Sequence, residues 1–103
     1  MTVLIQLPTE FKFYYENILK ETPERGTIKL IIKDFKRRLR EYKLIDKNLR
    51  KKYGTDFKNF KESEMVKKAQ YSFEVEEDYC DWELALDGIE TMKKEIQKLE
   101  KYL

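Results

Sequence analysis

Apolar residues in the last third of the chain fall at Val75, Tyr79, Trp82, Leu86, Ile89, Ile96 and Leu103, with Met92 and Leu99 one position off the line. Steps of three, four and seven are the 3.5-residue period of a helix that lays one narrow stripe against another helix. The same period runs upstream through Ile28, Ile32, Phe35, Leu39, Tyr42, Leu49 and Tyr53, where Asp46 takes the one polar place on the seam. Two stripes of similar length on one short chain predict a long antiparallel hairpin. Thr27 is the expected cap of the upstream helix, Gly54 its C-terminal stop, and Ser72 the start of the last helix. Gly88, inside the last helix, costs about 1 kcal/mol relative to alanine and implies either close packing or a bend.

The N-terminal quarter reads differently. Val3, Ile5 and Leu7 alternate with Thr2, Leu4 and Gln6 until Pro8 stops the run, which predicts a short β-strand. Thr9 then caps a helix with Phe11, Tyr14, Tyr15, Ile18 and Leu19 on its apolar face, and Thr22 to Gly26 breaks it. A short helical turn is expected from Asp56 to Phe60. Residues 61–71 read as a mixed connection docked by Met65, Val66, Ala69 and Tyr71. The expected fold is mainly α and elongated: a short N-terminal strand, then three main helices, the second and last forming the hairpin. Its single domain divides into a strand–helix part (1–27), a long basic helix (28–53), a short helix and connection (54–71) and an acidic amphipathic helix (72–103). A lone strand and a narrow stripe both seek partners, so a homodimer is expected.

Composition supports one domain with a modest core, since 103 residues suffice without metals or disulfides. At 41% charged residues disorder is the competing reading, but 14 aromatics and the regular spacing argue for folding. A single Cys80 forms no internal disulfide and fits a reducing, cytoplasmic setting. No apolar run is long enough for a secretory core or a membrane span.

The net charge of +2 conceals a strong asymmetry. Residues 29–61 carry 13 Lys/Arg against 4 Asp/Glu, whereas residues 74–90 hold eight carboxylates and no base. Such segregation serves an outside partner or pairs the two helices with each other. Glu74, Glu77, Asp78 and Asp81 share a helical face and raise the question of a metal. With no histidine in the chain and one helix supplying every ligand, a solvated or protein-binding face is the better reading, and no metal or other cofactor is expected. No nucleophile–base pair is visible, because Ser63 and Ser72 lack a histidine and Cys80 sits among acids. The chain is not expected to be an enzyme. The basic residues from Lys33 to Lys52 form either a nucleic-acid footprint or the solvated back of a helix. Trp82 and Tyr79 are either core or anchors for a partner.

From about Leu39 onward, the stretch Arg50-Lys51-Lys52-Tyr53-Gly54-Thr55-Asp56-Phe57 and the later Ser72-Phe73-Glu74-Val75-Glu76-Glu77-Asp78-Tyr79-Cys80-Asp81-Trp82-Glu83 resemble small prokaryotic proteins of toxin–antitoxin operons. Residues 2–40 also resemble the ribbon–helix–helix module of many antitoxins, in the Leu7-Pro8 end of the strand and the glycine at Gly26. The first resemblance implies an antitoxin that masks a basic, toxin-like protein through its acidic C-terminal helix. Glu76, Asp78, Tyr79, Asp81, Trp82 and Glu83 would form the binding surface. The second implies a DNA-binding transcriptional regulator that reads a groove with Thr2, Leu4 and Gln6, helped by Arg37 and Arg38. A self-associating helical structural protein is the third expectation. Neither a membrane nor a small-molecule substrate is expected as a partner.

Overall fold

The computed structural model describes residues 3–63 and 72–103, which form an elongated body of 59 × 25 × 25 Å. Among these residues the structure is mainly helical, with four helices and no strand. A brief α1 (Phe11–Phe13) runs into a π-helical stretch, Tyr14–Leu19. Then come α2 (Pro23–Tyr53), α3 (Phe57–Lys61) and α4 (Phe73–Glu100). The 31 residues of α2 and 28 of α4 make rods of roughly 46 and 42 Å at 1.5 Å per residue.

The long helices pair antiparallel. Lys52 near the end of α2 bonds Glu74 and Asp78 near the start of α4, while Arg25 at the other end donates to the carbonyl of Leu103. Each residue of the expected α2 seam is buried or half-buried, as are the seam residues of α4 from Val75 to Leu99. The best-packed region lies at the closed end. There Leu49, Phe60 and Trp82 are buried beneath Tyr53, Phe57, Val75, Tyr79 and Leu86. Phe57 and Phe60 project from α3 to within 5.3 and 5.1 Å of the Trp82 ring, measured between centroids, so this short helix acts as a plug. Gly54 turns the chain between α2 and α3 at φ 67°, a left-handed conformation that costs a side chain-bearing residue roughly 1 kcal/mol. Asp56 and Ser72 cap α3 and α4 by accepting from the amides of Asn59 and Val75.

Gly88 is a packing glycine. A Cβ there would stand 2.5 Å from the Tyr42 ring, so the tyrosine lies flat against the backbone of α4 where a side chain would hold the helices apart. Asp46, the polar interruption of the α2 seam, accepts a hydrogen bond from the indole of Trp82 at 2.8 Å.

The N-terminal expectations need correction. Residues 3–7 form no strand: they are exposed along their length, and among the described residues no segment offers them backbone partners. Thr2 lies outside the described residues, as do Met65, Val66, Ala69 and Tyr71. The cap of α1 is Glu10 rather than Thr9, whose carbonyl instead accepts from the Lys12 amide. The first helix stops at Lys20, which adopts φ 53°. Helix α2 begins at Pro23, not Thr27. Thr22 accepts from the Arg25 amide and Pro23 takes the first helical turn, where its missing N–H leaves no bond unmade. Gly26 therefore lies inside α2, buried under the ring of Tyr15, and the Thr27 hydroxyl meets the Tyr15 hydroxyl at 3.0 Å.

Replacing Gly88 by alanine gains helix propensity of about 1 kcal/mol but drives a methyl into the Tyr42 ring, a clash of the overpacking kind worth roughly 1–3 kcal/mol. Gly88→Ala is expected to lower the urea midpoint in an otherwise unchanged chain. In a Tyr42→Ala background it is expected to raise the midpoint. Equal effects in the two backgrounds would mean that the ring does not set the helix spacing.

Candidate functional site

Pairing within the hairpin divides the charged residues into two populations. The first is neutralised internally. Lys52 lies 2.6 Å from both Glu74 and Asp78, and the Tyr53 hydroxyl donates to Asp78 at 2.5 Å. Arg50 bonds Asp46, whose Oδ1 also receives the Trp82 indole. Arg37 and Arg38 share Asp34, and Arg37 reaches Glu41 as well. At the far end Glu21 holds Arg25 and Lys29.

The second population has no ion-pair partner among the described residues. On α2 it comprises Lys33, Lys36, Arg40, Lys43, Lys47 and Lys51, all exposed and spaced by three and four. Helical geometry gathers them into one stripe roughly 27 Å long. On α4 it includes Glu76, Glu77, Asp81, Glu83, Asp87 and Glu90, also exposed, with Lys93, Lys94 and Glu100 further along. Glu76, Glu83, Asp87 and Glu90 follow one flank of the helix, and Glu77 and Asp81 the other, roughly 130° around. Between the flanks, on the side away from α2, stand Phe73 and Leu84, which are 79% and 66% exposed. Three turns apart, they lie on one line of the helix.

This arrangement redistributes the residues expected to grip a partner. Trp82 has no exposed surface and is core, not anchor, because its indole N–H is already satisfied by Asp46. Tyr79 is half-buried against Phe57, at 5.3 Å between ring centroids. Asp78 is turned inward to Lys52 and Tyr53. Glu76 and Glu83 remain outward together, with Asp81 on the opposite flank. Asp87 and Glu90 extend the first flank and were legible from the heptad step out of Glu76. The exposed aromatic of α4 is Phe73, which stands at the head of the acidic run and off the seam.

Of the residues expected on DNA, Leu4 and Gln6 are exposed, and Arg37 and Arg38 lie about 21 Å along α2 from its start, committed to Asp34 and Glu41. Glu74 and Asp78 turn to Lys52, so the acidic run does not converge on a point, and no group of three His, Cys, Asp or Glu among the described residues could hold a metal ion. Cys80 is free and exposed. No helix of the described residues is long and apolar enough to cross a membrane.

Burial would push the Asp78 carboxyl up, but hydrogen bonds from Lys52 and Tyr53 outweigh it and hold the carboxyl below its usual range. Burial and the hydrogen bond to Asp78 push the Tyr53 phenol up to about 12. A depressed carboxyl contributes stability above its unfolded value, and that contribution is lost as pH falls through the folded one. A raised phenol contributes below pH 10 and is lost as pH rises toward about 12. The thermal midpoint of the native chain is therefore expected to fall more steeply than that of Asp78→Asn below about pH 4. Tyr53→Phe is expected to flatten the alkaline side. Parallel curves for all three proteins would show that the cluster does not couple to folding.

In comparison with known proteins, no family model, no curated protein and no solved structure matches the chain.

Proposed function

We propose that the chain is a non-catalytic binding protein, antitoxin-like in its action, that masks a basic partner protein with the outward face of α4. The observation that carries this reading is an exposed apolar pair, Phe73 and Leu84, flanked on both sides by six carboxylates without internal partners among the described residues. An apolar centre with a charged rim is the usual anatomy of a protein interface. The unpaired carboxylates steer a basic partner during encounter, and the apolar pair holds it after contact. The hairpin stiffens this face, so little ordering entropy is lost on binding. Of the surface expected from sequence, Glu76, Asp81 and Glu83 keep their role, while Phe73 and Leu84 replace Tyr79 and Trp82 as anchors.

The test is co-expression with the product of the adjoining gene, followed by purification of any complex. Leu84→Asp is expected to weaken such a complex at least about tenfold, as loss of an interface anchor does. Glu76→Lys with Glu83→Lys is expected to slow association and remove much of its salt dependence. Both variants should keep the native helical circular dichroism, because none of the three residues touches the core. A complex with native affinity in both variants would remove the proposal.

A second reading has its own observation, the six uncompensated bases along α2. Lying against a duplex, this stripe would contact phosphates rather than bases, giving affinity without sequence readout. Six contacts predict that the logarithm of affinity falls with the logarithm of salt with a slope of up to about −5. Lys36→Glu with Arg40→Glu and Lys43→Glu should roughly halve that slope. Absence of retention on duplex DNA at low salt would eliminate this reading.

A further inference from the structure

The face of α2 that meets neither α4 nor the basic stripe carries a pattern that reads the same in both directions. It runs Leu30 and Ile31, then Asp34, then Arg37 and Arg38, then Glu41, then Leu44 and Ile45, with every gap equal to its counterpart. The four aliphatic side chains are exposed to 46%, 39%, 56% and 36% in that order. They form two apolar pads about 21 Å apart on one side of the helix. Between them the arginines and carboxylates are bonded to one another at 2.7–2.9 Å, so the middle of the face is locally neutral.

We infer that this face is the contact surface for a second copy of the chain, packed antiparallel about a two-fold axis between Arg37 and Arg38. A two-fold interface must be self-complementary, with residue i of one copy on j of the other and j on i. A half-turn about that axis lays Leu30 and Ile31 on the second copy's Ile45 and Leu44. It also sets Arg37 and Arg38 against the second copy's Arg38 and Arg37, with each guanidinium keeping the Asp34 or Glu41 partner of its own chain and lying about a turn from those of the other. No charge enters the contact without an opposite charge within reach of a long side chain.

Antiparallel order follows from the first helix. Tyr15 packs on Gly26 and Thr27, one turn before Leu30 and Ile31 and on the same side of α2, so the π-helical stretch that follows α1 occupies this face at one end. A parallel pair would force both copies of that stretch into the same end of the contact. The antiparallel pair puts one at each end. Four half-exposed aliphatics fall short of the roughly 800 Å² per partner of a standard interface. Phe11, Ile18 and Leu19 lie within a turn of Tyr15 and are 37%, 65% and 37% exposed, so the helical turns around Tyr15 offer further apolar surface beside the pads.

Analytical ultracentrifugation of the full chain at micromolar concentration tests the assembly. The native chain is expected to sediment as two copies. Leu44→Asp with Ile45→Asp should sediment as one, with Kd raised at least about a hundredfold because four carboxylates would be buried per dimer. Helical circular dichroism should be retained, since both positions lie off the hairpin seam. Disulfide trapping in a Cys80→Ser background tests the direction. Leu30→Cys mixed with Ile45→Cys should give a cross-linked pair, and Leu30→Cys by itself should not. A native chain that sediments as one copy, a dimer indifferent to the two aspartates, or a Leu30→Cys variant that links to itself would each overturn the inference.

Discussion

The contact between the Trp82 indole and Asp46 sets the register of the molecule. A tryptophan with no exposed surface needs an acceptor for its N–H, and leaving that donor unmet would cost roughly 1–3 kcal/mol. One seam position on α2 supplies it. Sliding the helices by a heptad would strand the indole among aliphatics and leave a carboxylate facing apolar side chains. The plug of α3 and the close approach of Tyr42 to Gly88 then fall into place on either side of this pair. The polar interruption of the seam thus specifies the pairing that the apolar stripe only drives.

Once the register is set, the charges sort themselves. Helix α2 has three faces: one buried against α4, one a stripe of bases, and one that alternates apolar pads with an internally bonded charge cluster. Helix α4 buries one face and presents carboxylates and two apolar side chains on the rest. Among the described residues the basic helix neutralises the acidic one only at the closed end, through Lys52 with Glu74 and Asp78. Elsewhere the opposing charges sit on flanks that diverge from the seam.

The N-terminal segment obeys a different constraint. Val3, Leu4, Ile5 and Leu7 are exposed, and the N-terminal helical turns meet α2 through Tyr15 in the π-helical stretch and Glu21 just after it. The alternation of residues 2–7 describes which side chains could share a face, but a strand exists only where a second backbone completes its hydrogen bonds.

The hairpin was legible because a 3.5-residue stripe survives any choice of partner. Ile28 to Tyr53 and Val75 to Leu99 carry it without help from the rest of the chain. The turn at Gly54 and the start of α4 at Ser72 were legible too, being local chemistry, whereas Asp56, expected as the first residue of a helical turn, is the cap of α3. The start of α2 was misplaced because proline and glycine each punctuate a chain in more than one way. Pro23 opens a helix as readily as it ends one, and the Tyr15 ring makes a core position of Gly26. Sequence alone established which residues were charged and which faces they shared. It could not say which charges were already spoken for, or that Trp82 would be sealed while Phe73 stood in solvent. Those outcomes depend on the angle at which one helix meets another, a property of the packed pair that neither segment contains by itself.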